Sequence, residues 1–209
     1  AGLPDTSETE AVADIMLPAA PVEPILVDLP QPQSLVSFSA PGLKRDDPDF
    51  FTAYVLNYTV GGGGFESRLM KTLRVEKGLT YGIYTGLSNS DHLDTWRGGG
   101  QTKNESAGEF LTGIHDELNQ FVADGVTPEE LDDAKAYLTG SYALGFDSNA
   151  KIADQMMGVR KEELGIDYFD TRNAKIGAVT LDDVNRVAKA YLSPEKFTFV
   201  IVGEPEGIE

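Results

Sequence analysis

The sequence predicts an α+β domain: a mostly antiparallel sheet with helices packed on one face. Three observations predict it. Residues 80–88 and 93–102, joined through Asn89-Ser90-Asp91, read as a β-hairpin. The amphipathic helical segments then cluster, instead of alternating with strands. The chain closes on an apolar strand-type run over 197–202.

The elements follow in order. Residues 25–29 are a short apolar run bounded by prolines, which suits an edge strand. Residues 34–40 alternate in polarity and suit a half-buried strand, closed by Pro41-Gly42. Asp46-Asp47-Pro48-Asp49 supplies an acidic cap and a proline at the first helical position. Phe50, Phe51, Tyr54, Val55 and Tyr58 then recur at helical spacing. The four glycines at 61–64 break that pattern, which resumes over 65–77 and stops at Gly78. After the hairpin, 106–123 carries one apolar face and ends at Gly125. Thr127-Pro128-Glu129-Glu130 is a capping box that starts a helix reaching about residue 144. Helices over 149–164 and 168–176 come next, and Thr180-Leu181-Asp182-Asp183 caps a last one ending near Tyr191.

Composition excludes several function classes. The 209 residues carry 34 acidic and 17 basic side chains, a net charge of −17. A phosphate-reading protein shows a basic excess, so no nucleic-acid partner is expected. An anionic lipid surface is disfavoured for the same reason, and no apolar run is long enough to span a bilayer, so no membrane partner is expected. With no cysteine there is no disulfide, thiolate metal site or cysteine nucleophile. The absence of cysteine and an acidic linker suit the periplasm without fixing the compartment.

Asp5, Glu8, Glu10, Asp14, Glu23 and Asp28 precede the first basic residue, Lys44, and six of the eleven prolines lie at or before Pro32. Residues 1–23 therefore read as an acidic, proline-rich interdomain linker, and 24–209 as a single domain. No initiator methionine or signal pattern is present, so the chain reads as an excised or processed piece. The chain beyond its first thirty residues carries −11, which suggests an acidic half-chamber preferring basic peptides.

The two histidines, His92 and His115, form no metal-binding helical pair. The glycine run Gly61-Gly62-Gly63-Gly64 lacks the Lys-Ser/Thr of a phosphate loop and follows a helix, not a strand. Composition favours a flexible connection between helices, with close backbone approach to a ligand or partner as the alternative. Arg74 ends a helix, Gly78 reverses the chain, and Tyr81 begins a strand. A guanidinium and a phenol converging there suit a peptide carbonyl, a carboxylate or an oxyanion. The residues alone favour the plainer arrangement, in which Arg74 pairs with Glu76 or a carbonyl and Tyr81 fills a sheet face.

The segment Asn57-Tyr58-Thr59-Val60-Gly61-Gly62-Gly63-Gly64-Phe65-Glu66-Ser67-Arg68-Leu69-Met70, followed by Leu73-Arg74-Val75-Glu76-Lys77-Gly78-Leu79-Thr80-Tyr81, resembles the C-terminal-type domain of the insulinase/pitrilysin family of zinc peptidases, mitochondrial processing peptidase among them. Gly125-Val126-Thr127-Pro128-Glu129-Glu130, Asp147-Ser148-Asn149 and Val179-Thr180 extend the likeness over roughly residues 24–204.

The resemblance implies a domain that pairs with a zinc-bearing partner, in the same chain or another subunit, to enclose a chamber for peptides. Zinc is expected in the partner, with no cofactor held by this chain, because the family's His-x-x-Glu-His motif is missing here. The resemblance implies that Arg74 and Tyr81 reach the partner's site and support catalysis in trans. It implies that Gly61, Gly62, Gly63, Gly64 and Phe65 handle substrate. The isolated chain is expected to be inactive. The rival reading is a non-catalytic structural or assembly homologue of the same family.

Overall fold

A computed structural model describes residues 12–208; the first eleven residues of the expected linker lie outside this range. Five strands form one sheet in the order β1-β5-β2-β4-β3. They are β1 (Ile25–Asp28), β2 (Gln33–Pro41), β3 (Thr80–Ser88), β4 (Thr95–Lys103) and β5 (Thr198–Gly203). Every pairing is antiparallel except β1 on β5, where Ile25 faces Val200 in parallel register.

Alternation along β2 decides which face is covered. Val36, Phe38 and Ala40 point into the core while Leu35 and Ser37 face out. Phe38 stacks on Phe199 at 5.4 Å and meets the edge of Phe197 at 5.7 Å, an aromatic centre for the core. Six α-helices cover that face or extend from it: α1 (Phe50–Asn57), α2 (Ala107–Ala123), α3 (Pro128–Gly140), α4 (Asn149–Lys161), α5 (Tyr168–Ala178) and α6 (Leu181–Tyr191). α2 lies against the sheet through Phe110, Ile114, Leu118 and Phe121, all fully buried.

Both threonine capping boxes form. The Glu130 and Asp183 amides donate to the Thr127 and Thr180 hydroxyls, and each carboxylate accepts the cap's own amide. Gly78 and Gly125 take the left-handed conformation that ends their helices, with φ of 65° and 75°.

Some expectations need correction. α1 begins at Phe50 without a side-chain cap, because the Asp49 carboxylate is held by both terminal nitrogens of Arg186 at 2.7 Å. α3 ends at Gly140 and tightens into a 3₁₀ stretch, Ser141–Phe146, so it falls short of residue 144 as an α-helix. α4 ends at Lys161 instead of 164, where Glu163 takes a positive φ of 52°. The glycines do not simply interrupt a helix. Tyr58–Gly62 continues α1 as a π-helical turn, and the expected helix over 65–77 is a 3₁₀ turn, Gly64–Glu66, followed by a second π-helical stretch, Met70–Glu76.

Residues 12–20 form neither helix nor strand, and they run along the domain. The Ile15 amide donates to the His92 carbonyl at 2.8 Å. The Asp14 carboxylate lies 3.3 Å from His92 Nδ1 and 3.5 Å from Lys44 Nζ.

Candidate functional site

Irregular backbone positions the Arg74–Tyr81 pair. A π turn carries one more residue than an α turn, so it rotates the side chains that follow. Arg74 lies in the second π stretch, and the Leu79 amide then donates back to the Leu73 carbonyl at 2.8 Å. β3 leaves register with β4 between Thr80 and Ile83. The Thr80 hydroxyl sits in this bulge, 2.6 Å from the Gln101 carbonyl, and accepts the Gly82 amide at 3.1 Å. A bulge re-aims a side chain. Here it turns Tyr81 outward, leaving it 89% exposed.

The reversal does bring the two together. The Arg74 guanidinium lies 5.1 Å from the Tyr81 ring centroid and 4.3 Å from that of Phe65. Among the described residues it has no hydrogen-bond or ion-pair partner, so the pairing with Glu76 does not form. Two aromatic faces therefore orient the cation while its N–H groups stay available. Phe65 is itself exposed, as is Tyr84, three residues after Tyr81. An odd separation puts two side chains on opposite faces of a regular strand, so Tyr84 carries no sequence signal; with the bulge between them both line one shallow pocket beside Gly82 and Leu35.

The glycine run is close-packed. A β-carbon on Gly61 would lie 2.7 Å from the Thr85 amide nitrogen, on Gly62 2.5 Å from Asn57 Nδ2, and on Gly63 2.7 Å from the Tyr58 carbonyl. Gly64 takes a φ of 58° and faces open space. Gly61 thus approaches β3, while Gly62 and Gly63 approach Asn57 and Tyr58, so these close contacts are with the chain itself. Asn57 Nδ2 donates to the Thr85 carbonyl at 3.3 Å, whereas Asn57 Oδ1 and Thr85 Oγ1 are buried and unpaired. Just past the run, Arg68 grips Glu130 with Nε and a terminal nitrogen, both at 2.6 Å, and donates to the Gly125 carbonyl at 2.8 Å. Burial pushes the Glu130 carboxyl up, but the Arg68 hydrogen bonds and the Thr127 amide outweigh this and hold it below the usual range.

The histidines lie apart. His92 is at the hairpin tip against Asp14, and His115 is on α2 with its ring 4.6 Å from Phe199. Burial pushes the His115 imidazole down. No group of three or more His, Asp or Glu placed to hold a metal occurs among the described residues. The charge around this pair differs from that of the chain. Residues 64–81 hold Arg68, Lys71, Arg74 and Lys77 against Glu66 and Glu76, an excess of two positive charges.

Fold and site together define a class: a sheet-and-helix domain that presents a guanidinium and a phenol at its surface and shows no metal-ligand cluster among the described residues. Comparison with known proteins gives the family. Residues 15–138 match the family described as the peptidase M16 inactive domain. The chain is 30% identical over 171 residues to a protein of Helicobacter pylori named non-peptidase homolog YmxG, covering 81% of this chain and 39% of that one. It is 31% identical over 166 residues to an uncharacterized zinc protease of Streptomyces coelicolor, covering 77% of this chain and 35% of that one. Among solved structures, a peptidase M16 inactive domain from Pseudomonas fluorescens superposes with a TM-score of 0.82 at 30% identity, over 97% of this chain and 48% of that one. The chain belongs to the peptidase M16 family, as its inactive domain. It spans less than half the length of these relatives.

Proposed function

We propose that this chain forms one wall of a peptide-hydrolysing chamber and lends Arg74 and Tyr81 to a zinc-bearing partner. The observation that carries this is the Arg74 guanidinium held between Phe65 and Tyr81 with its donors free of partners among the described residues. Such a group binds a peptide carbonyl and stabilises charge as it develops on that oxygen. The Tyr81 hydroxyl supplies a second donor. The partner supplies the metal, which polarises the carbonyl and activates water. Phe65 and the glycine run set the depth at which Arg74 stands, so their contribution to substrate binding is partly indirect.

The test is a reconstituted pair with a peptide substrate. Arg74→Ala should lower kcat/KM about 10²–10³-fold, the usual loss of one such donor, while the free chain unfolds at an unchanged temperature. An unchanged kcat/KM would remove the role. A second reading has its own support, because the Helicobacter relative is named a non-peptidase homolog. Under that reading the domain is an assembly subunit, and the reconstituted pair turns over no peptide with either form.

A further inference from the structure

The sheet face turned away from the core carries no acid. Residues paired across a ladder share a face, so register identifies the outward set. On β2 and β4 it pairs Leu35 with Gln101, Ser37 with Gly99 and Ser39 with Arg97. Asp28 is the only acidic residue in the five strands, and it pairs with Gly203, an inward position. The outward positions therefore hold two cations, Arg97 and Lys103, and no carboxylate, in a chain of −17. The acidic side chains lie elsewhere.

Arg97 stands apart from Lys103. Lys103 Nζ lies 3.8 Å from Glu105, whereas Arg97 is exposed and has no ion-pair partner among the described residues. Its cross-strand neighbours are Gly86 on β3 and Ser39 on β2. Neither offers a charge or a ring, the two features through which a neighbouring strand stabilises an arginine. The glycines beside it have no packing reason either. Nothing lies within 4 Å of a β-carbon built on Gly82 or Gly86. Glycine in a strand weakens it and marks a place where a ligand or another backbone comes close.

This face is continuous with the Arg74–Tyr81 site. Tyr81, Gly82, Tyr84 and Leu35 line one pocket, Tyr84 pairs with Gly99, and Gly86, two residues further on, pairs with Arg97. Gln101 lies opposite the bulge that aims Tyr81. From there to Arg97 is about 13 Å along β4, a span that about four residues of extended peptide cover.

We infer that Arg97 binds a carboxylate of the peptide substrate, about four residues from the carbonyl that Arg74 holds, with the peptide lying over Gly82 and Gly86. This rests on the functional reading above and names the substrate class of that site: peptides with an acidic group at that distance. A guanidinium takes a carboxylate through two parallel hydrogen bonds, and a face with no carboxylate of its own leaves both available.

The test uses the reconstituted pair and a peptide series in which one glutamate, and separately one glutamine, is moved through positions on both sides of the cleaved bond. Glutamate at one position, about three to five residues from that bond, should raise kcat/KM about tenfold over glutamine, the effect of one charged hydrogen bond at an exposed site. Arg97→Ala should abolish the difference, whereas Arg160→Ala, on α4, should keep it. Arg97→Glu should reverse the preference, favouring lysine there. Peptides ending at that position with a free or an amidated C-terminus tell a terminal carboxylate from a side-chain one, and a preference for either that Arg97→Ala abolishes supports the assignment. The variants should unfold with the wild type, because both arginines are exposed. If no carboxylate is preferred at any position, or if the preference survives Arg97→Ala, the inference is wrong, and the functional reading stands as long as Arg74→Ala still lowers kcat/KM. If the wild-type pair turns over no peptide, both fall.

Discussion

The glycine run makes a quantitative claim about Gly61. A methyl group there would sit 2.7 Å from both the amide nitrogen and the hydroxyl of Thr85 and 2.9 Å from its Cγ2. Ordinary carbon contacts begin at about 3.5 Å, so the π turn must lift away from β3 by most of an ångström. Backbone occupies one side of the contact, and rotating Thr85 cannot relieve that part. Overpacking of this kind costs about 1–3 kcal/mol. For a chain of this size each kcal/mol moves the unfolding midpoint by about 2–4 °C, so Gly61→Ala should lower it by about 4–8 °C at a mid-range cost of about 2 kcal/mol. Gly82 is the control, because nothing lies within 4 Å of a β-carbon built there. Gly82→Ala should leave the midpoint unchanged or raise it slightly, since glycine in a strand carries an entropic cost of about 0.5–1 kcal/mol. Thermal unfolding followed by circular dichroism reads both. Equal midpoints for the two variants would refute the close-packing argument and restore the flexible tether.

Three further outcomes are expected. Glu130→Gln removes the charge that Arg68 grips, at side chains only 18% and 26% exposed, and weakens a capping box as well. Allowing for that partial exposure, it should cost about 2 kcal/mol, or about 4–8 °C in the midpoint. The Glu130 carboxyl is held below its unfolded value, so its contribution is complete above that value of about 4.3 and is lost as pH falls through the lower folded value. A urea series from neutral pH downward should therefore show a shallower acid loss in Glu130→Gln than in the wild type. A parallel decline would mean that other carboxylates govern the acid limb. Finally, Arg74→Ala should leave the free chain's midpoint within about 0.5 kcal/mol of the wild type, because its contacts are two partly exposed aromatic faces.

Legibility in the sequence followed local physics. The two threonine capping boxes, the stops at Gly78 and Gly125 and the hairpin were readable because each depends on a few neighbouring residues. The parallel pairing of β1 on β5 was not, since it joins residues about 175 positions apart and leaves no local mark. The two π stretches were hidden for a different reason. Their hydrophobic spacing passes for α-helix until a partner strand is known, and only then do Gly61, Gly62 and Gly63 become requirements of contact with Thr85, Asn57 and Tyr58. Arg74 and Tyr81 were brought together by the reversal at Gly78 and given a role by the family resemblance, while the residues that aim them, Thr80 in the bulge and Phe65 across the guanidinium, took their meaning from the fold.

The placement of irregularity is itself informative. Both π stretches and the β3 bulge fall between residues 58 and 83 and surround one guanidinium. Each device costs backbone regularity, and irregular ladders persist only when neighbouring structure over-determines them. Here the neighbours are evident. Asn57 ties the first π turn to Thr85, the Ile83 amide donates to Met70 Sδ at 3.3 Å, and Arg68 locks the intervening segment to Glu130 at the head of α3. A domain that needed only to fold would gain by replacing these with straight helix and paired strand. What the irregularity secures is orientation: Arg74 and Tyr81 project outward from a frame whose moving parts are pinned to the core. Under the proposed function this is what the domain contributes to a shared site, donors held in place for chemistry that begins on the other half.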